Sequence, residues 1–288
     1  MSFLDRVVES NGAHLVDYVP LEMDGWRAGA LRVDISERLL DFPSVFANTA
    51  SGAVTLSEGL GNADCETRTT AVNEVMGGLH EEGIVRGWRN ELFPVAPRFG
   101  ASPSLLVERA AVPILGTRGY GVHVNGIVRR GSGLFMWVGY RAADKPTWPG
   151  RMDQLVAGGQ PAGYTVRENL IKECKEEAGM SSVLASRARA AGTIAYRMGT
   201  EEGYRPDTVF VFDLELPESF EPRNTDGEVD RFACLPIDEV KNIVRDSTAF
   251  KPNCALVIID FLVRHGHIHP GCPDYEAIVE GLHAGIDT

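Results

Sequence analysis

Apolar residues in the second half of the chain fall into short runs bounded by glycine and polar turns. GVHVNGIVRR (121–130) and GLFMWVGYR (133–141) read as two strands joined at the glycine-rich turn Gly131–Gly133, and QLVAGG (154–159) as another. Further strand signals lie at Gly192–Arg197, Thr208–Leu216 and Val229–Leu235. A helix is expected from near Asp238, and a second after Pro252 in PNCALVIIDFLVRHG. Residues 1–115 carry a different pattern, with a hairpin at Met23-Asp24-Gly25 and helices near Ser2–Glu9, Ile35–Leu40 and Glu66–Gly77. The boundary falls between Pro113 and Tyr120, dividing the chain into units 1–115 and 116–288. The fold class is α/β (α+β): a mixed sheet flanked by helices, preceded by a smaller α+β domain.

Between the third strand and the next lies Gly158 to Met180, GGQPAGYTVRENLIKECKEEAGM. Thr165 followed by Glu168 is a capping box, which starts a helix near Val166, and Gly179 supplies the left-handed terminator. At about 100° per residue, Glu176 and Glu177 fall within roughly 60° of Glu173. Leu170, Ile171, Cys174 and Ala178 gather on a neighbouring stripe that can face a core. Like charges at this spacing cost a few tenths of a kcal/mol per pair. A solvated acidic face is the ordinary reading of such charges, but the preceding loop argues for a bound cation. Gly158, Gly159 and Gly163 surround Pro161, so backbone can approach a ligand closely and offer N–H groups to phosphate. Neither a P-loop nor a G-x-G-x-x-G fingerprint is present.

This segment resembles a Nudix box. Gly158 takes the first glycine, Lys172-Glu173 the Arg-Glu pair, Cys174 the apolar place, Glu176-Glu177 the paired acids and Gly179-Met180 the end. Two positions depart: Tyr164 stands where a glutamate is expected, and Lys172 replaces arginine. In the family those two residues brace loop against helix, so the brace is in question while the acids are intact. The resemblance implies a Nudix α/β/α sandwich on a mixed sheet. It also implies a pyrophosphohydrolase that cleaves the diphosphate bond of a small organic molecule, with Mg²⁺ or Mn²⁺ on Glu173, Glu176 and Glu177. Such hard cations prefer oxygen ligands, neutralise charge on a diphosphate and generate hydroxide near neutral pH. Glu173 or Glu177 would stand closest to the attacking water. The alternative is a catalytically weak Nudix domain that binds a diphosphate metabolite for regulation or interaction.

Members of the family often recruit a further acid from a downstream loop. Glu201 and Glu202 offer one candidate position, and Asp226, Glu228 and Asp230 another. Glu228 is favoured, because the strand it enters should return beside the box helix. The N-terminal unit, ending in HEEGIVRGWRNELFPV, gives the whole a resemblance to a subgroup related to thiamine pyrophosphokinase. That subgroup is associated with thiamine diphosphate and its oxidised analogues, and the N-terminal unit would then help to recognise substrate. Gly158 and Gly159 would contact the diphosphate, and a ring would need aromatic walls, for which Trp88, Phe93, Trp137 and Tyr140 are candidates. Aromatics more often simply fill cores.

Composition narrows the partners. Hydrophobic residues make up 44% and charged residues 24% of 288, ordinary for a globular protein. No apolar run approaches the roughly 18 residues of a membrane span, and no signal-peptide pattern is seen. A net charge of −12 argues against a nucleic-acid surface, and an anionic substrate must be attracted locally. Five scattered cysteines read as reduced thiols in a cytoplasmic protein. His265, His267, His269 and Cys272 alternate like zinc ligands, but Pro270-Gly271 points to a turn before a last short helix.

Overall fold

The computed structural model describes residues 1–145, 147–225 and 227–284. Its second unit is built on a mixed seven-stranded sheet. The strand path is Arg189–Ala195, Thr208–Glu215, Tyr120–Arg130, Gly133–Arg141 and Val229–Pro236. Val156–Gly159 pairs with Tyr120–Arg130, and Met152–Gln154 pairs with Gly133–Arg141. Thr208–Glu215 runs parallel to Tyr120–Arg130, with Thr208 opposite Tyr120 and Glu215 opposite Ile127. The other pairings are antiparallel.

Tyr120 to Val128 are all buried, because this strand is covered on both faces. Alternation sorts its side chains: Val122, Val124 and Val128 pack with Leu170, Cys174 and Ala178 of the helix Val166–Ala178. Ile127 turns the other way, toward Leu256, Phe261 and Leu262 of the helix Pro252–Arg264. Full burial of such side chains stabilises by about 1.5–3 kcal/mol each. The result is the α/β/α sandwich expected from the sequence.

The N-terminal unit has a four-stranded sheet in the order Trp26–Leu31, Val19–Met23, Val54–Leu56, Phe46–Asn48. Its first hairpin turns at Asp24 (φ 51°) and Gly25 (φ 79°), the paired positive dihedrals of a type I′ turn. The helix Cys65–Glu81 buries Val72, Met76 and Leu79 in this unit's own core. A two-stranded ribbon, Leu92–Val95 with Leu105–Glu108, follows and lies beside the second unit. The first helix of the chain, Phe3–Ser10, does not join the N-terminal sheet. Ser2 and Asp5 cap it reciprocally, and Val7 packs in the same cluster as Phe261 and Leu282.

Candidate active site

The helix Val166–Ala178 forms as its sequence dictates. Thr165 Oγ1 accepts from the Glu168 amide at 3.2 Å, and Glu168 accepts from the Thr165 amide at 2.9 Å. Gly179, at φ 64°, ends it, with the Met180 amide returning to the Cys174 carbonyl at 3.0 Å. The apolar stripe is drawn onto the sheet, and the adjacent face carries Glu173 and Glu177 inward to 7% and 8% exposure. Glu176 is turned outward.

The glycine loop meets these carboxylates edge on. A Cβ on Gly158 would lie 2.2 Å from the Glu173 carboxyl, so any larger residue would displace it. A Cβ on Gly159 would lie 2.7 Å from the Phe93 ring of the N-terminal unit. The Ala157 amide donates to Glu177 Oε2 at 2.8 Å. Asn169 Nδ2 donates to the Gly159 carbonyl at 2.7 Å and ties helix to loop. That bond is the brace left in question by Tyr164 and Lys172. Tyr164 is 47% exposed, and Lys172 instead bridges Glu173 (3.0 Å) and Glu176 (2.8 Å).

Burial raises the Glu173 carboxyl above its ordinary range against the opposing pull of Lys172. Glu177 is raised much further, first by burial and then by Glu173, with Asp153 and Glu228 adding to it. One backbone amide is the favourable contact opposing these effects. Two buried, mutually repelling carboxylates with an all-oxygen donor set suit a hard divalent cation. Cys174 beside them is fully buried and its thiol is pushed up to about 12, so it is a packing group.

A cavity of about 190 Å³ opens in front of the loop, between the two units. Gly158 and Gly159 line it, as does Glu228. Burial opposes the Glu228 charge, but the hydrogen bond and charge of Lys145, followed by Arg109 and Arg89, hold its carboxyl below the ordinary range. Glu202 also reaches the cavity, whereas Glu201 and Asp230 are exposed; Asp226 lies outside the described residues. Within a chain of net charge −12 the walls are strongly cationic. Arg86, Arg89 and Arg109 come from the N-terminal unit, and Arg141, Lys145, Arg205 and Lys251 from the second.

Of the aromatic candidates, Phe93 lines the cavity, and Trp137, Tyr140 and Trp88 do not. Trp137 packs against the cluster beneath the box helix, and Tyr140 lies under the Arg231 guanidinium at 3.4 Å. Trp88 stacks on His80 at 5.2 Å. The aromatic walls are instead Tyr120, Trp148 and Tyr196, none of which the sequence pattern singled out. Trp148 adopts φ 53°, a left-handed conformation that no glycine signals.

A second buried group lies close by, with His123 on the wall of the same cavity. Ligand atoms of His123, Asp153 and Cys254 lie within 4.8 Å of one another, the one such group among the described residues. This group already has its countercharge. Asp153 Oδ2 pairs with Lys251 at 3.0 Å and Arg141 at 3.1 Å, while the Cys254 thiol donates to Oδ1 at 2.6 Å. Against its burial, these cations take the Asp153 carboxyl down to about 2. His123 Nδ1 meets Gln154 Oε1 at 2.7 Å, and burial followed by the nearby Lys251 lowers its value to about 4. With two fixed cations on its carboxylate, the group serves as a neutralised cross-link between sheet and helix. The C-terminal histidines are dispersed: His265 stacks on Phe261 at 4.1 Å, and His269 Nδ1 accepts from the Gly271 amide at 3.1 Å.

Comparison with known proteins follows this division of the molecule. A family model described as "NUDIX domain" matches residues 119–254, and one described as "Domain of unknown function (DUF4743)" matches residues 2–119. Nudix hydrolase 24, chloroplastic, of Arabidopsis thaliana is 44% identical over 98% of this chain and 78% of its own length. Nudix hydrolase 20, chloroplastic, of the same plant is 42% identical over 97% of this chain and 77% of its own. An uncharacterized Saccharomyces cerevisiae protein is 37% identical over 76% of this chain and 69% of its own. Both plant relatives are chloroplastic, which overturns the cytoplasmic address expected from composition. The five free thiols report reducing conditions, which more than one compartment provides, and so do not fix an address. Among the described residues no helix is long and apolar enough to cross a membrane.

Proposed function

Since the chain belongs to the Nudix hydrolase family, whose members act on pyrophosphate bonds, we propose that it is a Mg²⁺- or Mn²⁺-dependent pyrophosphohydrolase of a small organic diphosphate. Thiamine diphosphate and its oxidised analogues are the substrates to test first, on the resemblance of the N-terminal unit to the thiamine pyrophosphokinase-related subgroup. The supporting observation is the pair of buried carboxylates, Glu173 and Glu177: Lys172 pairs with Glu173, and Glu177 has no ion pair among the described residues.

Glu173 and Glu177, with Glu176 beside them, would hold the cation, which when bound neutralises charge on the diphosphate and acidifies a water. The remaining work falls to the chain. Gly158 and Gly159, which line the cavity without side chains of their own, would let the diphosphate approach the backbone. The cationic walls gather and orient the anion, and Phe93, Tyr120 and Trp148 exclude water on the organic side. Glu228 is ionised and already paired with Lys145, so its oxygen orients the attacking water by accepting a hydrogen bond. Proton acceptance would fall to Glu173 or Glu177, the two buried acids of the box helix.

A turnover screen tests this reading. Thiamine diphosphate, its oxo form, ADP-ribose, dinucleotides and nucleoside triphosphates would be offered with Mg²⁺ and Mn²⁺ in parallel. Metal-dependent cleavage of a diphosphate that is lost on changing Glu176 and Glu177 to Gln is the expected result. Activity that survives that change overturns the assignment.

A further inference from the structure

The arginines that reach the cavity from the N-terminal unit are held by an uncommon device. Glu108 is 1% exposed, yet its carboxylate makes no ion pair among the described residues. It binds backbone instead: Oε1 accepts from the amides of Arg89 (2.8 Å) and Ala110 (3.3 Å), and Oε2 from that of Glu91 (3.2 Å). The Arg109 amide adds a bond to the Glu91 carbonyl at 2.8 Å. A buried carboxylate is costly unless its oxygens are satisfied, so these amides fix the loop around it.

That loop is in turn registered against the box. The Ala162 amide donates to the Leu92 carbonyl at 2.8 Å, and Phe93 closes on Gly159. Arg109 therefore lies with its guanidinium carbon 3.5 Å from the position a Gly159 Cβ would take, and Arg89 lies 3.9 Å from Glu228. Both side chains remain 41% exposed to the cavity mouth. Glu91 takes one edge of Arg109 at 3.0 Å, leaving the rest of a planar five-donor fork for a ligand. Exposed ion pairs add little to folding, so stability does not account for a buried carboxylate devoted to positioning them. Planar cations held rigidly beside a diphosphate site account for it.

We infer that the N-terminal unit furnishes the anion-binding wall of the active site, where Arg89 and Arg109 grip the substrate's diphosphate across from the box carboxylates and Glu108 positions them. This rests on the diphosphate reading above, but its test does not need turnover. Binding of methylenediphosphonate, whose P–C–P bridge resists hydrolysis, would be measured by calorimetry on the full chain. Arg89→Ala and Arg109→Ala should each weaken binding about tenfold, as expected for loss of one charged hydrogen-bonding partner. Arg129→Ala, whose exposed pair with Glu215 lies away from the cavity, should bind as the wild type does. Glu108→Gln should raise KM for a cleaved diphosphate while kcat stays near wild type, whereas general unfolding would lower kcat. Unchanged affinity in the two arginine variants, or no binding by the wild type, overturns the inference. A wild type that binds the diphosphonate but cleaves no diphosphate would overturn the hydrolase reading and leave the wall standing.

Discussion

Asp153 and Glu177 are both buried, and the protein supplies paired cations to only one of them. Asp153 has Lys251, Arg141 and a thiol within 3.1 Å, and its carboxyl is driven down to about 2. Glu177 has one backbone amide and three acidic neighbours, and its carboxyl is driven well up. Burial is alike in the two places, at 5% and 8% exposure, so burial alone does not mark function. The difference lies in leftover charge. Where the chain supplies its own cations the group is a fastener; where it leaves Glu177 without one, the carboxylate suits the cation proposed above.

Four experiments would break or sharpen that contrast. The largest effect belongs to the box carboxylates. Glu176→Gln with Glu177→Gln should cut metal-dependent phosphate release by roughly 10³–10⁴-fold, about 4–5.5 kcal/mol. The same double variant should melt no earlier than wild type without metal; a marked loss of Tm would make these acids structural. Asp153→Asn should do the reverse and destabilise by about 3–5 kcal/mol in chemical denaturation, since two buried cations lose their partner. Unchanged stability there would collapse the distinction.

The third effect concerns pH. The folded value of His123, about 4, lies below the unfolded value near 6.5, so the unfolded chain takes up the proton first. Its contribution is present in full above about pH 6.5 and is lost as pH falls toward 4, on the order of 3 kcal/mol. His123→Gln should flatten the fall in Tm across that window, and a slope identical to wild type would show that another group carries it. The smallest effect is at Glu228. Glu228→Gln should slow turnover about tenfold at saturating Mg²⁺ with little change in KM, consistent with an orienting role. A rate within about twofold of wild type would remove it from the site.

What could be read in the sequence was what is local. The box helix runs from its Thr165 cap to its Gly179 stop because capping involves residues three or four apart. The Asp24-Gly25 hairpin and the strands of the sheet were legible for the same reason, since turn chemistry and period-two alternation need no distant partner. The fastener was hidden because Asp153 and Cys254 are 101 positions apart and only the fold joins them. Nothing in the local spacing marks Asn169, which ties the box helix to its loop through the Gly159 carbonyl. The aromatic residues of the cavity were hard to read for a related reason. Alternation says that Trp137 and Tyr140 point to opposite faces, but not which face opens on a cavity, and neither one does.

The first helix, Phe3–Ser10, also has a consequence for how the protein is made. Its packing partner, the helix beginning at Pro252, is translated much later. At about 5–20 residues per second, the roughly 240 residues between them take on the order of 10–50 s to leave the ribosome. Throughout that interval the N-terminal sheet can close on itself while the helix Phe3–Ser10, with Val7 on its apolar side, has no surface to dock against. The nascent chain therefore carries an uncovered apolar helix through that interval, and a chaperone that covers it should raise the yield more than one acting after release.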